Sequence, residues 1–128
     1  MIIVHGTIPI RADQRDEALE LARRMEDASR LEAGCISYAF FVGLSDPNTL
    51  MLFQEWESAD ALQQHFETEH MERFLEALPG IVNGEIHTRR YAVEVDGVDD
   101  ADEGLPEEDG SATGVSTIEP RGKPPIIH

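Results

Sequence analysis

Residues 35–58, CISYAFFVGLSDPNTLMLFQEWES, decide how this chain folds. Two runs rich in aromatic and branched residues flank SDPN, where Pro47 presets the backbone for a turn, so the stretch predicts a β-hairpin. With the turn centred near Asp46, paired positions have numbers summing to about 92. Tyr38 is then expected opposite Gln54, and Ile36 opposite Trp56. Ile36, Tyr38, Phe40, Leu50, Leu52, Gln54 and Trp56 would share one face of the sheet, and Met51, Phe53 and Glu55 the other. Both faces are too apolar for either to be simply wet. An antiparallel sheet of this kind needs helices on one side and a second layer on the other. A second copy of the same sheet is the economical layer, which predicts a homodimer.

Working outward, IIVHGTIPI (2–10) reads as a short first strand ending at Pro9 or soon after. In RADQRDEALELARRMEDASRLEAG, the positions Ala18, Leu21, Ala22, Met25 and Ala28 lie on one helical face, and Gly34 supplies the stop. Glu20 with Arg24, and Glu26 with Arg30, form i,i+4 pairs on its outside. After the hairpin, Ser58 is placed to cap ADALQQHF, with Asp60 in its first turn. Thr68 is placed to cap a second helical piece, EHMERFLEAL, expected to end at Pro79-Gly80. NGEIHTRRYAVEV reads as a long last strand. The order β-α-β-β-α-β, with its second helix broken, predicts an α+β, ferredoxin-like fold over residues 1–95.

The charge divides the chain. Residues 1–93 and 94–128 each net −8, although the second part is much the shorter. From Asp96 the sequence DGVDDADEGLPEEDGSATG has few large apolar residues and cannot bury enough surface to offset its ordering entropy. Residues 96–128 are therefore expected to form an acidic, flexible tail. A formal net charge of −16 argues against nucleic-acid partners and against anionic membranes. It also fits adaptation to high salt. No apolar run is long enough to span a bilayer, and no leader pattern is present. Cys35, the lone cysteine, fits a reducing, cytoplasmic setting and reads as a small buried side chain.

The segment EAGCISYAFF, followed by SDPNTLMLFQEWESADALQQHFETEHMERFLEAL, resembles the antibiotic biosynthesis monooxygenase (ABM) domain family, which includes the small quinol monooxygenases. The resemblance rests on Gly-Cys before a tyrosine-bearing strand, an Asp-Pro turn, Glu-Trp-Glu-Ser, then Ala-Leu-x-x-His with a later histidine before an apolar helix. It implies a dimeric α/β barrel of ferredoxin-like subunits and oxygenation of phenols, hydroquinones or anthrones without flavin, haem or metal. The protein's task would be deprotonation, a dry pocket and hydrogen bonds to the resulting anion.

Candidate site residues follow from chemistry and position. The Trp56 ring could stack on a planar aromatic while its indole N–H donates to an oxygen, although a single tryptophan also serves as core. His65, on the helical face of Ala61 and Leu62, is a candidate base or hydrogen-bond donor, with a buried structural histidine as the alternative. His70 follows the helix break and could turn inward or cap it. His5 approaches from the first strand. Tyr38 could reach a ligand with its hydroxyl, and Phe40, Gln54 and Phe66 would wall a substrate-binding pocket.

Arg89, Arg90 and Glu55 read as sheet-edge or dimer pairs, and His87 and His128 as surface residues. On a continuous helix His65 and His70 diverge by roughly 140°, so no metal site is expected unless a break at Glu67-Thr68 joins them. Haem-degrading relatives of the fold use a histidine where this chain has Leu75, so no haem is expected. The reading is a cofactor-independent monooxygenase using O2 on an aromatic small-molecule substrate. Two alternatives stand beside it: a non-redox ligand-binding or signalling-molecule-processing module, and a dimeric platform presenting the acidic tail to a basic partner.

Overall fold

The computed structural model describes residues 1–97, so the acidic segment expected at 96–128 falls almost wholly outside the described residues. Met1–Glu94 form one compact unit. Its elements are β1 (Ile2–Pro9), a 3-10 turn (Ala12–Gln14), α1 (Arg15–Arg30), β2 (Cys35–Val42), β3 (Thr49–Trp56), α2 (Ala59–Phe66), α3 (Glu69–Ile81) and β4 (His87–Ala92). The four strands make one antiparallel sheet in the order β2-β3-β1-β4. This is the ferredoxin-like α+β plan.

Period-two alternation sets the two faces. Ile2, Val4, Ile8, Leu50, Leu52, Gln54, Trp56 and Tyr38 are buried beneath the helices with Ala18, Ala22, Met25, Leu62, Phe74, Leu78 and Ile81. The opposite face, carrying Ile3, Thr7, Met51, Phe53 and Glu55, is only half-buried, with no helix over it among the described residues. Glu55 there accepts a hydrogen bond from Ser37 Oγ at 2.7 Å, so its partner is a serine on the neighbouring strand rather than an arginine.

The hairpin register agrees with expectation at Tyr38↔Gln54 and Phe40↔Leu52 but departs from it at the end. Cys35, not Ile36, stands opposite Trp56, because an irregularity between Cys35 and Ser37 inserts an extra residue on β2. Ile36 is thereby turned out, 49% exposed.

Two helix details also differ from the sequence reading. α3 continues through Pro79 to Ile81. The missing Pro79 N–H would have bonded the Leu75 carbonyl in the final turn, and Leu75 is exposed, so water can serve that carbonyl. In α1 the fourth buried position is Ser29, with Ala28 and Leu21 at its margins. The last strand is shorter than expected, and all six of its residues are exposed.

β2 is an edge strand, and α1 closes part of that edge. Glu26 accepts from the Phe40 N–H at 2.7 Å, and Arg30 Nε donates to the Tyr38 carbonyl at 2.9 Å. The predicted Glu26–Arg30 pair forms at 3.7 Å, so both side chains also satisfy strand groups that would otherwise invite another chain.

Candidate functional site

Three local features bring the site together. Ser58 Oγ accepts from the Ala61 N–H at 3.1 Å and starts α2. Thr68 caps α3 through the Met71 N–H and donates its hydroxyl to the His65 carbonyl at 2.8 Å, tying the two helices across their break. Gly34 lies at φ +83°, a conformation open to glycine at little cost. A Cβ there would fall 2.5 Å from the Ala61 Cβ. The α1–β2 connection thus lies directly against α2, which carries Glu32 to His65.

Glu32 Oε2 stands 2.8 Å from His65 Nδ1 and 2.5 Å from His70 Nε2. A carboxylate only accepts, so both ring nitrogens carry the protons they donate. Neutral His65 therefore presents an unprotonated Nε2. That atom is fully buried and has no hydrogen-bond partner among the described residues. An unsatisfied buried acceptor costs about 1–3 kcal/mol. Burial pushes the His65 pKa down, against the opposing pull of the Glu32 hydrogen bond and charge. At neutral pH the ring is held in the form that accepts a proton.

The His65 ring packs 4.8 Å from Trp56, 5.4 Å from Tyr38 and 5.8 Å from Phe66, centroid to centroid. Burial raises the Tyr38 hydroxyl above the ordinary phenol range and keeps it protonated. Ser29 Oγ stands beside that hydroxyl but meets no partner at full hydrogen-bonding geometry. Phe40 lies on the same side, tilted against Phe74. Nε2 is closed to solvent, so a ligand reaches it only when the surrounding aromatic side chains part.

Sequence expectation and geometry differ at several residues. The Trp56 indole N–H is already engaged, donating to Gln54 Oε1 at 2.6 Å, so Gln54 orients the indole and neither group is free for a ligand. Phe66 borders the His65 ring but is 44% exposed, so it is not an enclosed wall. His5 lies on the opposite face of the sheet. It pairs with Phe53 and Arg89, and its Nε2 meets the Tyr91 hydroxyl at 3.1 Å. The odd-numbered positions of β1 face away from the helices, which removes His5 from this site.

Glu32 is the residue that sequence reading missed. Its signal was an acid just past the C-terminus of a helix, where the macrodipole disfavours negative charge. His65 and His70 converge because the helix does break at Glu67 and Thr68. Together with Glu32 their ligand atoms lie within 4.8 Å of one another.

The profile of the antibiotic biosynthesis monooxygenase family matches residues 1–77. The chain belongs to this family. As an ABM domain it is 30% identical over 92 residues to sll1783, an uncharacterized protein of Synechocystis, covering 72% of this chain but only 63% of that relative's length. It superposes with a TM-score of 0.69 on a crystal structure of an antibiotic biosynthesis monooxygenase at 25% identity, covering 74% of this chain and all of the other. Rv0793 of Mycobacterium tuberculosis shares the fold, with a TM-score of 0.67 and 23% identity over 78% of this chain and 97% of its own. Among the described residues, no helix of the ABM domain is long and apolar enough to cross a membrane.

Proposed function

We propose that this ABM domain is a cofactor-independent monooxygenase that oxidises a quinol-like or polyphenolic aromatic with O2. The observation that carries the reading is His65 Nε2: a buried, unpartnered acceptor between Trp56 and Tyr38, with its other nitrogen pinned to Glu32. A base so placed takes the proton from a phenolic hydroxyl or an anthrone methylene, and the Tyr38 hydroxyl is a donor of matching polarity for the anion. The electron-rich anion is its own reductant. One oxygen atom enters the ring system, the other leaves as water with the two hydrogens the substrate loses, and the four electrons O2 accepts all come from substrate. His70, sharing the same carboxylate oxygen, holds Glu32 in place.

The half-buried outer face, with Ile3, Met51 and Phe53, supports a homodimer formed through the sheet. The lone, half-buried Cys35 supports a reducing, cytoplasmic setting. The closed state of Nε2 and the engaged Trp56 N–H favour a second reading, a module that binds an aromatic ligand without passing electrons to O2.

Oxygen uptake separates the two. Metal-stripped protein is given dihydroxynaphthalenes and anthrones, autoxidation is subtracted, and a Trp56→Ala/His65→Ala variant is run alongside after its fold is checked by circular dichroism. Protein-dependent uptake that vanishes in the folded variant is expected. Absence of uptake, with ligand still quenching Trp56 fluorescence, would move the assignment to the binding module.

A further inference from the structure

We propose that Glu32, His65 and His70 form a binding site for a divalent transition-metal cation of the zinc type, and that occupation of the site switches off the base at His65. This departs from the expectation of a metal-free chain, which held only for histidines kept apart on a continuous helix. The second clause rests on the functional reading given above; the binding site itself does not.

The three side chains come from three separate segments: Glu32 just beyond α1, His65 in the last turn of α2 and His70 in the first turn of α3. Two imidazole nitrogens and one carboxylate oxygen suit zinc and its first-row neighbours, with ligand bonds of roughly 2.0–2.2 Å. Donors around such an ion stand on the order of 3.3 Å apart, by the same bond lengths and tetrahedral angles. Here the carboxylate sits at 2.8 and 2.5 Å from the two nitrogens, the separations of direct hydrogen bonds. The three ligand atoms span up to 4.8 Å, so an ion draws the two imidazole nitrogens together by about 1.5 Å while the Glu32 carboxylate withdraws by roughly 0.5–1 Å to reach these bond lengths.

Access and charge favour the same event. The side chains of His70 and Glu32 are 24% and 13% exposed, so an ion can arrive from solvent and keep water in its remaining positions. The chain's formal net charge of −16 raises the local concentration of cations.

The cation and the hydrogen-bonded state exclude each other, because both use His65 Nδ1. A metal on Nδ1 leaves the neutral ring its single proton on Nε2. The atom that accepts a proton in the metal-free protein then becomes a hydrogen-bond donor. It can hold a phenolate oxygen but cannot take a proton from a phenol.

Direct titration tests the site without any substrate. The full-length chain is stripped of metal and titrated with Co2+, followed by its visible d–d absorption, with Zn2+ as competitor. One Co2+ per chain is expected, displaced by Zn2+. Affinity should fall about tenfold or more in His70→Asn and in Glu32→Gln. It should be unchanged in His87→Asn, which removes a surface histidine away from the cluster. His70 is partly exposed, so its variant is expected to fold, and circular dichroism verifies this. No stoichiometric binding, or binding equally strong in both cluster variants, would overturn the site. In the second arm, Zn2+ over the same concentration range is expected to abolish oxygen uptake. Binding with uptake unaffected would overturn the switch and leave the site standing. Absence of uptake at every metal concentration would count against the functional reading, and the titration would still decide the site.

Discussion

Replacing Gly34 with alanine tests how the site is built, because a single missing Cβ lets the Glu32 segment lie against α2. At φ +83°, a residue bearing a Cβ loses roughly 1–2 kcal/mol to local sterics. The added carbon also falls 2.5 Å from the Ala61 Cβ, where carbon atoms ordinarily meet at about 3.5–4.0 Å. Forced repacking of that order costs roughly 1–3 kcal/mol. The expected loss is therefore about 2–5 kcal/mol, a large share of the roughly 5–15 kcal/mol that holds a domain together. The melting temperature should drop on the order of 10–30 °C.

The assay is urea unfolding of the full-length chain at fixed protein concentration, followed by Trp56 fluorescence. Ala61→Gly, combined with Gly34→Ala, removes the clashing partner while leaving the backbone strain. The double variant should recover roughly 1 kcal/mol or more relative to the sum of the singles. A cost below about 0.5 kcal/mol for Gly34→Ala, or strict additivity in the cycle, would refute the close approach of the two segments.

Gly80 gives the contrasting case: its added Cβ would meet nothing within 4 Å among the described residues, so Gly80→Ala should stabilise α3 by up to about 1 kcal/mol in the same assay. Glu26→Ala leaves the Phe40 N–H without its acceptor and frees Arg30 from its pair, and a loss of roughly 1–2 kcal/mol is expected, with a greater tendency to associate at the β2 edge in light scattering. The pH dependence follows from the buried His65, whose pKa lies below its ordinary 6.5. Folded His65 binds its proton less tightly than unfolded His65, so its contribution to stability is fully present above pH 6.5 and is lost as pH falls through the lowered value. Thermal melts at descending pH should show this loss, and in His65→Gln the slope through that range should flatten.

Signals confined to a few neighbouring residues were legible in the sequence. The runs of aromatic and branched residues in CISYAFFV and TLMLFQEW announced the two strands, and the Asp-Pro turn their register at Tyr38 and Gln54. Ser58 and Thr68 each announced a helix start, and with them the break that lets His65 and His70 turn toward one point. The same residues carried the family resemblance that the matched profile over residues 1–77 bears out. His65, Trp56 and Tyr38 were identifiable as neighbours on one side of the sheet because helical and strand periods place them there.

What the tertiary structure alone decided was which of these groups are free to act. Alternation in the first strand sets His5 with Ile3 and Thr7 opposite Ile2, Val4 and Ile8, but only the packing shows which of the two faces lies under the helices. The extra residue at Ile36 depends on how β2 must bend to meet β3, a property of the pair. Whether the Trp56 N–H was available depended on Gln54, two residues away on the same face. Glu32 lies 33 and 38 positions from the two histidines it joins, and no local period links such distant residues. Their meeting depends on a glycine narrow enough to let one connection rest on another helix. Local propensity fixes each element over a few residues, whereas the partners of a buried polar atom are chosen by how those elements cross.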